Sequence, residues 1–282
     1  MRKQVFKTVF LAAVIIISTI FMPFEVLAET EPATEVYVTI SDDKGSLALV
    51  QEKITVKDTD EDGVLTIQDA LYCAHEAAYL GGAEAGYHTE STDYGISLVK
   101  LWGIENGGSF GYLINNQSAM SLSDPIQSGD YINAYAYQDL TAWSDQYVYF
   151  DQWSIEAKAD DTVTLKLSGI GYDENWSPVV LPIENAEILM NGSKTELMTD
   201  KDGSVTLKLP EGSKWVITAK KEGAVLVPNA CVINDSTVTK VTEKNEDTNT
   251  WLYVIIAVAA ILIVGTIVIL IRNGHKNEGK SK

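Results

Sequence analysis

Apolar and polar positions alternate along most of the chain, and one short stretch has helical spacing instead. The alternation predicts five β-strands in the first part of the chain, at residues 35–40, 47–56, 97–102, 110–115 and 131–137. A Gly107-Gly108 turn lies between the third and fourth of these strands. Residues 69–80 predict a helix with a small apolar face, which Gly81-Gly82 ends. The order strand–strand–helix–strands predicts an α+β domain of the β-grasp type.

The second part of the chain alternates without a helical stretch, which predicts an all-β domain. Its strands are predicted at residues 163–167, 186–190, 204–209, 215–220 and 231–233. Short strands separated by turns that contain Gly and Asp are typical of a β-sandwich. We therefore predict a first domain over residues 29–150 and a β-sandwich domain over residues 151–241.

Both ends of the chain carry signals for export and membrane insertion. Residues 1–28 combine basic residues, an apolar run and the small-residue end Val26-Leu-Ala28, which predicts a signal peptide. Residues 251–271 contain no charged residue and can span about 30 Å of hydrocarbon as a transmembrane helix. The basic tail, 272–282, favours the cytoplasm. We expect a type I single-pass protein of the bacterial cell membrane, with a polar stalk over 242–250 and its bulk outside.

The charge of the chain argues against one class of partner. The chain has 21 Lys and Arg against 39 Asp and Glu, a net charge of −18, and residues 29–250 keep 14 basic and 37 acidic residues. Nucleic acids are repelled by such a body, so no nucleic-acid partner is expected. Cys73 and Cys231 fall in different predicted domains, and we therefore expect two unpaired thiols.

An acidic stretch before the predicted helix has the pattern of a calcium loop. Asp58-Thr-Asp-Glu-Asp-Gly-Val-Leu-Thr-Ile-Gln-Asp69 places carboxylates at loop positions 1, 3, 5 and 12, with glycine at position 6. Calcium takes about six to eight oxygen ligands, which alternate acidic residues on a tight loop can supply. The predicted ligands are Asp58, Asp60, Asp62, Val64 through its carbonyl, Thr66 and Asp69. The alternative is an acidic turn that caps the helix N-terminus.

The loop resembles the strand–loop–helix calcium motif of dockerin-type modules more than a paired EF-hand. Residues 47–56 alternate as a strand where an EF-hand has its first helix. Asp69 stands where an EF-hand has Glu, and the chain has one such loop whereas a dockerin has two. Cohesin binding is therefore not expected. The resemblance implies a structural role in which calcium fastens a strand to a helix.

Residues 35–140 resemble the transcobalamin C-terminal-like β-grasp family. The resemblance rests on Phe110-Gly-Tyr-Leu-Ile-Asn-Asn116, then Pro125-Ile-Gln-Ser-Gly-Asp130 and the strand that follows. In that family the domain forms one wall of a corrinoid pocket. The resemblance implies capture of a corrinoid or similar small ligand, although the second, larger half of such a pocket is absent from this chain.

The second domain resembles carboxypeptidase-regulatory-like and collagen-adhesin B-type sandwich repeats. The similar segments are Thr199-Asp-Lys-Asp-Gly203 and Pro210-Glu-Gly212. Asp-Gly and Glu-Gly form hairpin turns in such domains, so Asp200 and Asp202 are interpreted as turn residues and not as a second calcium site. The resemblance implies a spacer or adhesive unit and leaves an intramolecular Lys–Asn bond open.

The search for catalytic chemistry gives no complete motif. His75-Glu76 begins like a zinc-protease helix, but Tyr79 stands where the second zinc-binding His belongs. No nucleophile elbow, phosphate loop or dinucleotide-binding turn occurs in the sequence. We therefore predict that the protein is not an enzyme.

Aromatic residues are concentrated in and just after the first domain. Four of them are the predicted ligand surface: Trp102, Tyr112, Trp143 and Tyr147. The alternative is that such side chains fill a small core, because large aromatic side chains bury well. We expect a non-enzymatic binding protein that captures a small extracellular ligand in a concave aromatic pocket. The alternative function is an adhesion, protein-interaction or spacer module with a flat aromatic patch and no small-molecule pocket.

Overall fold

The computed structural model describes residues 33–175 and 177–237, and this part of the chain is mainly β-structure. The predicted signal peptide (1–28), stalk (242–250), transmembrane helix (251–271) and basic tail (272–282) lie outside the described residues. Within the described ranges, no helix is both long enough and apolar enough to cross a bilayer.

The secondary-structure elements of the described residues fall into two lobes, an N-terminal lobe over 33–138 and a C-terminal lobe over 146–237. In chain order the elements are β1 (Glu35–Ser41), β2 (Leu47–Thr55), α1 (Ile67–Ala78), α2 (Gly82–Gly86), β3 (His88–Thr92), β4 (Gly95–Lys100), β5 (Phe110–Ile114), β6 (Gln117–Ser118), β7 (Tyr131–Ala136), β8 (Gln146–Phe150), β9 (Ser154–Ala157), β10 (Thr162–Tyr172), β11 (Pro178–Pro182), β12 (Glu187–Met190), β13 (Ser193–Met198), β14 (Ser204–Lys208), β15 (Lys214–Lys220), β16 (Leu226–Val227) and β17 (Cys231–Asp235).

The N-terminal lobe is built on a five-stranded mixed sheet in the order β2-β1-β7-β5-β6. β1 runs parallel to β7, and the other neighbours are antiparallel. Parallel neighbours need a long crossover connection, and α1 lies within the connection between them. Apolar side chains of β1 and β7, among them Val36, Val38 and Ile132, pack with those of α1 in one buried core.

Helix α1 begins at Ile67 because Thr66 and Asp69 form a capping box. The Thr66 hydroxyl accepts from the Asp69 N–H, and the Asp69 carboxylate accepts from the Thr66 N–H at 3.0 Å. Because of this cap, α1 begins two residues earlier than the helix predicted over 69–80. The apolar face of the helix is buried against the sheet through Ile67, Ala70, Leu71 and Ala74.

The strand around Ser97 has a different partner from the one that the Gly107-Gly108 turn suggests. β4 pairs with β3 in a separate two-stranded hairpin, and β5 pairs with β6 and β7. The Thr92 hydroxyl donates to the Gly95 carbonyl and accepts from the Tyr94 N–H, which closes the β3–β4 turn. This local turn brings β3 next to β4, so the strands predicted at 97–102 and 110–115 both occur but do not pair with each other.

The C-terminal lobe consists of two sheets that enclose one core. One sheet has the order β11-β10-β8-β16, with β14 also paired to β10, and the other has the order β13-β12-β15-β17-β9. Trp215 is buried in the core with Leu165, Leu207 and Ile217. All five strands predicted in this part occur, at β10, β12, β14, β15 and β17.

The boundary between the two lobes lies before residue 146. β8 pairs with β10 and β16, and its side chains Val148 and Phe150 are buried in the core of the C-terminal lobe. The predicted boundary at residue 150 therefore falls after a strand that belongs to the second lobe.

Polar and aromatic contacts fasten the two lobes together. The ring of Tyr131 lies between those of Tyr37 and Trp153, stacked at centroid distances of 4.7 and 4.2 Å. The Gln51 side-chain amide donates to the carbonyls of Trp153 and Ala230 at 3.0 and 2.7 Å. These contacts join the outer face of the N-terminal sheet to the C-terminal lobe, and both lobes fall in one compact unit.

Candidate functional site: an acidic loop and an aromatic strip

The acidic loop between β2 and α1 is folded by its own carboxylates. Asp58 accepts from the backbone N–H groups of Asp62 and Gly63, and Asp62 accepts from that of Val64. Gly63 has a φ of +86°, a conformation that glycine adopts without a steric penalty. Residues 58–64 therefore form a tight turn in which the carboxylates of Asp58 and Asp62 accept hydrogen bonds from the backbone of the turn.

Asp69 ties the end of this loop to its beginning. Its Oδ1 accepts from the N–H and the hydroxyl of Thr59 at 2.8 and 2.5 Å, and its Oδ2 accepts from the N–H and the hydroxyl of Thr66 at 3.0 and 2.8 Å. The side chain is fully buried. A buried carboxylate with four hydrogen bonds holds the loop against the start of the helix.

Three of the six predicted calcium ligands come together. One carboxylate oxygen each from Asp58, Asp60 and Asp69 lies within 4.8 Å of the other two. Desolvation and the neighbouring charges of Asp62 and Asp69 raise the pKa of Asp60, because a proton relieves the repulsion. The hydrogen bond from the Gly63 N–H lowers the pKa of Asp58. Converging hard oxygen ligands fit a Ca²⁺ ion, which would neutralise the same repulsion.

The other three predicted ligands have different surroundings. Asp62 and Val64 are exposed on the outer turn of the loop, and Thr66 is buried with its hydroxyl donated to Asp69. Calcium coordination by Thr66, or by both oxygens of Asp69, would require hydrogen bonds of the capping box to rearrange. The cluster of Asp58, Asp60 and Asp69 is therefore the part of the predicted site that is already assembled.

The four predicted ligand-surface aromatics do not form one surface. Tyr147 is buried between the lobes, where its hydroxyl donates to Asn116 at 2.8 Å and accepts from Asn229 at 2.9 Å. Trp102 is half-buried and packs on His75, and Tyr112 is half-buried at the edge of the N-terminal core. Trp143 alone of the four is exposed, with 56% of its surface accessible.

His75 has a structural position that the sequence did not indicate. Its Nδ1 lies 2.6 Å from the Leu71 carbonyl, and its Nε2 accepts from the backbone N–H of Trp102 at 2.9 Å. The ring is fully buried among Tyr79, Tyr87 and Trp102. Burial lowers the pKa of His75 to about 4, so the neutral ring with its proton on Nδ1 is the stable form. β4 and the turn after it cover this part of α1, so His75 is a core residue and not a surface residue of the helix.

A row of aromatic rings crosses the junction between the lobes and continues onto an open sheet face. Trp143, Tyr137, Tyr135, Tyr147 and Tyr149 follow one another at centroid distances of 5.3, 5.2, 6.5 and 6.1 Å. Tyr149 also adjoins Ile170 in the same hydrophobic cluster. We call the accessible members of this surface the aromatic strip, and they are Trp143, Tyr137, Tyr149, Ile170, Tyr172 and Val180.

Strand register places the second half of the strip on one face of its sheet. Ile170 pairs with Val180, and Tyr172 with Pro178, so their side chains share the face that carries Tyr149. The opposite face carries Val148 and Phe150, which enter the core. Tyr172 and Val180 are 60% and 63% exposed.

Four clefts of the described residues lie elsewhere. One of about 370 Å³ separates the β1–β2 turn at Gly45 from Leu189 and Val216 of the second lobe. Another, of about 560 Å³, lies between β2 and α1, and two more lie along the outer sheet of the C-terminal lobe. None of these four is lined by Trp102, Tyr112, Trp143 or Tyr147.

Comparison with known proteins places the chain in no established family. No family model and no curated protein matches the sequence. Among solved structures, the D0-D1 domain of Intimin is matched with 13% sequence identity and a TM-score of 0.25, over 54% of this chain and 80% of that one. A similarity at this level carries no inference about fold or function.

Proposed function

We propose that the chain is a non-enzymatic binding protein of the bacterial cell surface, anchored by a transmembrane helix over residues 251–271. In this proposal the N-terminal lobe is a β-grasp domain stabilised by calcium in the loop 58–69, and the C-terminal lobe is a β-sandwich that supports it. The observation that carries the proposal is the aromatic strip. Adjoining aromatic and aliphatic side chains left exposed on a sheet face are typical of interaction surfaces.

His75 and Cys231 are buried and are therefore assigned no catalytic role in this proposal. His75 uses both ring nitrogens in bonds to the protein backbone and is closed off from solvent. Cys231 is buried, and burial raises the pKa of its thiol to about 12, so it is not a reactive thiolate. Neither group can reach a substrate.

Adhesion or interaction is favoured over capture of a small ligand. A corrinoid pocket would be concave and lined by aromatic rings, whereas the four clefts given above contain none of the four predicted aromatics. The exposed rings instead lie along a sheet face and a loop. This arrangement fits an extended partner laid across the surface.

Calcium is expected to raise the melting temperature of residues 29–250. A single extracellular loop of this kind binds with a Kd of about 10⁻⁴–10⁻³ M, so 5 mM calcium should add about 1–2 kcal/mol, or roughly 3–8 °C. The measurement is a thermal melt with calcium and with chelator. The double variant Asp58→Ala, Asp60→Ala removes two of the three clustered carboxylates and should abolish the shift.

The chain offers a matched control for the calcium experiment in its other Asp-x-Asp-Gly loop. Asp200 accepts from the N–H groups of Asp202 and Ser204 and closes a hairpin turn. The variant Asp200→Ala, Asp202→Ala should lower stability and leave the calcium shift intact. An unchanged melting temperature in the native sequence, or a shift that persists without Asp58 and Asp60, would contradict the calcium site.

Adhesion should depend on the aromatic strip. Cells displaying the full chain would be tested for retention on plates coated with a panel of extracellular proteins and polysaccharides. Truncating Trp143 and Tyr172 to alanine should reduce retention about tenfold, because exposed aromatic anchors carry much of the energy of such contacts. Tyr94→Ala is the control, since Tyr94 is fully exposed on the separate β3–β4 hairpin. Equal retention of the native chain, the Trp143 and Tyr172 variant and the Tyr94→Ala control on every coating would refute the proposal.

A further inference from the structure

The N-terminal sheet has an open edge along β2. β2 is the terminal strand of this sheet, and β1 is its one neighbour among the described strands. The Val56 N–H donates to the Thr34 carbonyl at 2.9 Å, and the alternation of an antiparallel ladder then points the backbone groups of Lys53 and Thr55 away from β1. Both residues are exposed. Outward N–H and C=O groups on an edge strand are a template for one further strand.

The devices that protect another edge of the molecule are missing from this one. Edge strand β11 has Pro178 and Pro182 at outward positions, where proline offers no N–H to a new strand. β2 contains no proline. The Lys53 ammonium lies 2.6 Å from the Glu35 carboxylate of β1, which holds this side chain over its own sheet and away from the edge. The regular part of the β1–β2 ladder covers residues 52–55, so the open edge suits a short segment.

A groove of about 560 Å³ lies beside the open edge, between β2 and α1. We call it the β2–α1 groove, and its walls include Ile54 and Thr55 from the strand and Tyr72, Cys73 and Ala77 from the helix. All of these residues except Thr55 are apolar, and Tyr72 is 41% exposed. Successive side chains of a strand point to opposite faces, so a strand added to β2 would direct every second side chain toward this apolar wall.

A second copy of the chain is a poor occupant for the groove. If β2 paired with β2 of another copy, the side chains directed toward α1 would be Ile54 and Val56 of that copy. These side chains are 3% and 5% exposed because they are already packed in their own core. Residues 33–237 also contain 12 Lys and no Arg against 32 Asp and Glu, so two copies repel each other. An independent segment has no such commitment of its side chains.

We propose that the β2–α1 groove binds an extended peptide segment of a partner protein, which adds to β2 as a strand and places apolar side chains at alternate positions against α1. Main-chain hydrogen bonds to Lys53 and Thr55 supply affinity, and the alternate side chains supply specificity. Lys57 and Glu76 line the groove with opposite charges, so the segment needs no net charge. The groove shares no residue with the aromatic strip, and this inference does not depend on the role of the strip.

The test begins with a phage-displayed library of random peptides of about ten residues, selected on the full chain in a non-ionic detergent. The selected peptides should share apolar residues at every second position. A synthetic copy of the strongest should slow the alkylation of Cys73 by iodoacetamide, because this thiol lines the groove. At about ten times its Kd the peptide leaves roughly a tenth of the protein free, so the rate should fall about tenfold. Cys231 is fully buried and does not contribute to the signal.

Thr55→Pro distinguishes strand addition from other kinds of binding. A proline at an outward position of an edge strand is compatible with the sheet but removes the outward N–H. The variant should therefore keep the native melting temperature and weaken peptide binding by at least about tenfold. N-methylation of the peptide at alternate residues should weaken binding to the native chain in the same way. Val180→Pro is the matched control, since it adds an outward proline to β11 and should leave the affinity unchanged.

Four results would overturn the inference. The first is that no selected peptide protects Cys73, and the second is that protection is equal in the native chain and in Thr55→Pro. The third is that the selected peptides lack alternate apolar residues. The fourth is that Cys73 becomes protected without peptide as the protein concentration rises, which would assign the groove to a second copy. Adhesion through Trp143 is measured separately, so failure here leaves the proposed function standing.

Discussion

Replacing Gly203 by alanine is expected to destabilise residues 29–250 by more than about 3 kcal/mol. Gly203 ends the Asp200-Lys-Asp-Gly203 turn with a φ of +77°, where a side chain is strained. An added Cβ would also overlap the carbonyl oxygen of Leu167 and lie 3.2 Å from the Ile183 nitrogen. Both are backbone atoms inside the C-terminal lobe, and the Gly203 carbonyl accepts from the Leu167 N–H at 2.8 Å. The clash can be relieved only by separating β14 from β10.

Gly192→Ala is the matched control for this prediction, measured by the same denaturant unfolding. Gly192 has a φ of +76°, nearly that of Gly203, but a Cβ added there meets no atom within 4 Å. The control should therefore lose only the conformational term of about 1–2 kcal/mol. Equal losses at the two positions would mean that the approach of Gly203 to Leu167 is not what requires glycine there.

Local patterns along the chain predicted helix α1 and ten of the seventeen strands of the described residues. The capping residue Thr66 and Asp69 are three positions apart, and the apolar spacing of α1 continues directly from them, so the helix can be recognised from neighbours in sequence. The Asp200-Lys-Asp-Gly203 turn is a local signal in the same way, because Asp200 bonds residues two and four positions on. The three clustered carboxylates of the acidic loop were also within reach of the sequence, since twelve consecutive residues contain them all.

The sequence could not show which aromatic and histidine side chains are buried, because contacts between distant parts of the chain decide it. Tyr147 was predicted as a ligand-surface residue because it lies in an aromatic-rich stretch of the sequence. Its hydrogen-bond partners Asn116 and Asn229 lie 31 and 82 residues away, and the packing of these segments buries it between the lobes. His75 likewise receives its hydrogen bond from Trp102, 27 residues later. Aromatic residues could be counted from the sequence, but the packing of the lobes decides which of them stay exposed. The open half of the strip was missed because Ile170 and Val180 have ordinary strand residues around them.

Between pH 6.5 and pH 4, the stability of residues 29–250 is expected to fall because of His75. Its pKa is about 4 in the folded protein against 6.5 in the unfolded chain, so the unfolded state binds more protons across this interval. The contribution of neutral His75 to the free energy of unfolding is fully present above pH 6.5 and is lost as the pH falls to 4. The 2.5-unit difference corresponds to about 3 kcal/mol. The geometry supplies the reason: a proton on Nε2 would face the Trp102 N–H, donor against donor.

His75→Gln removes the titrating ring and should flatten the dependence of the unfolding free energy on pH between 5 and 6.5, where the carboxylates contribute least. It should also cost about 1–3 kcal/mol at pH 7, because the Trp102 N–H and the Leu71 carbonyl lose well-placed partners. His88→Gln is the control, since that side chain is more than half exposed and its loss should leave the slope unchanged. If His75→Gln kept the native slope of unfolding free energy against pH over this range, another group would be responsible for that slope. The buried His75 ring would then take up its proton in the folded protein as readily as in the unfolded chain.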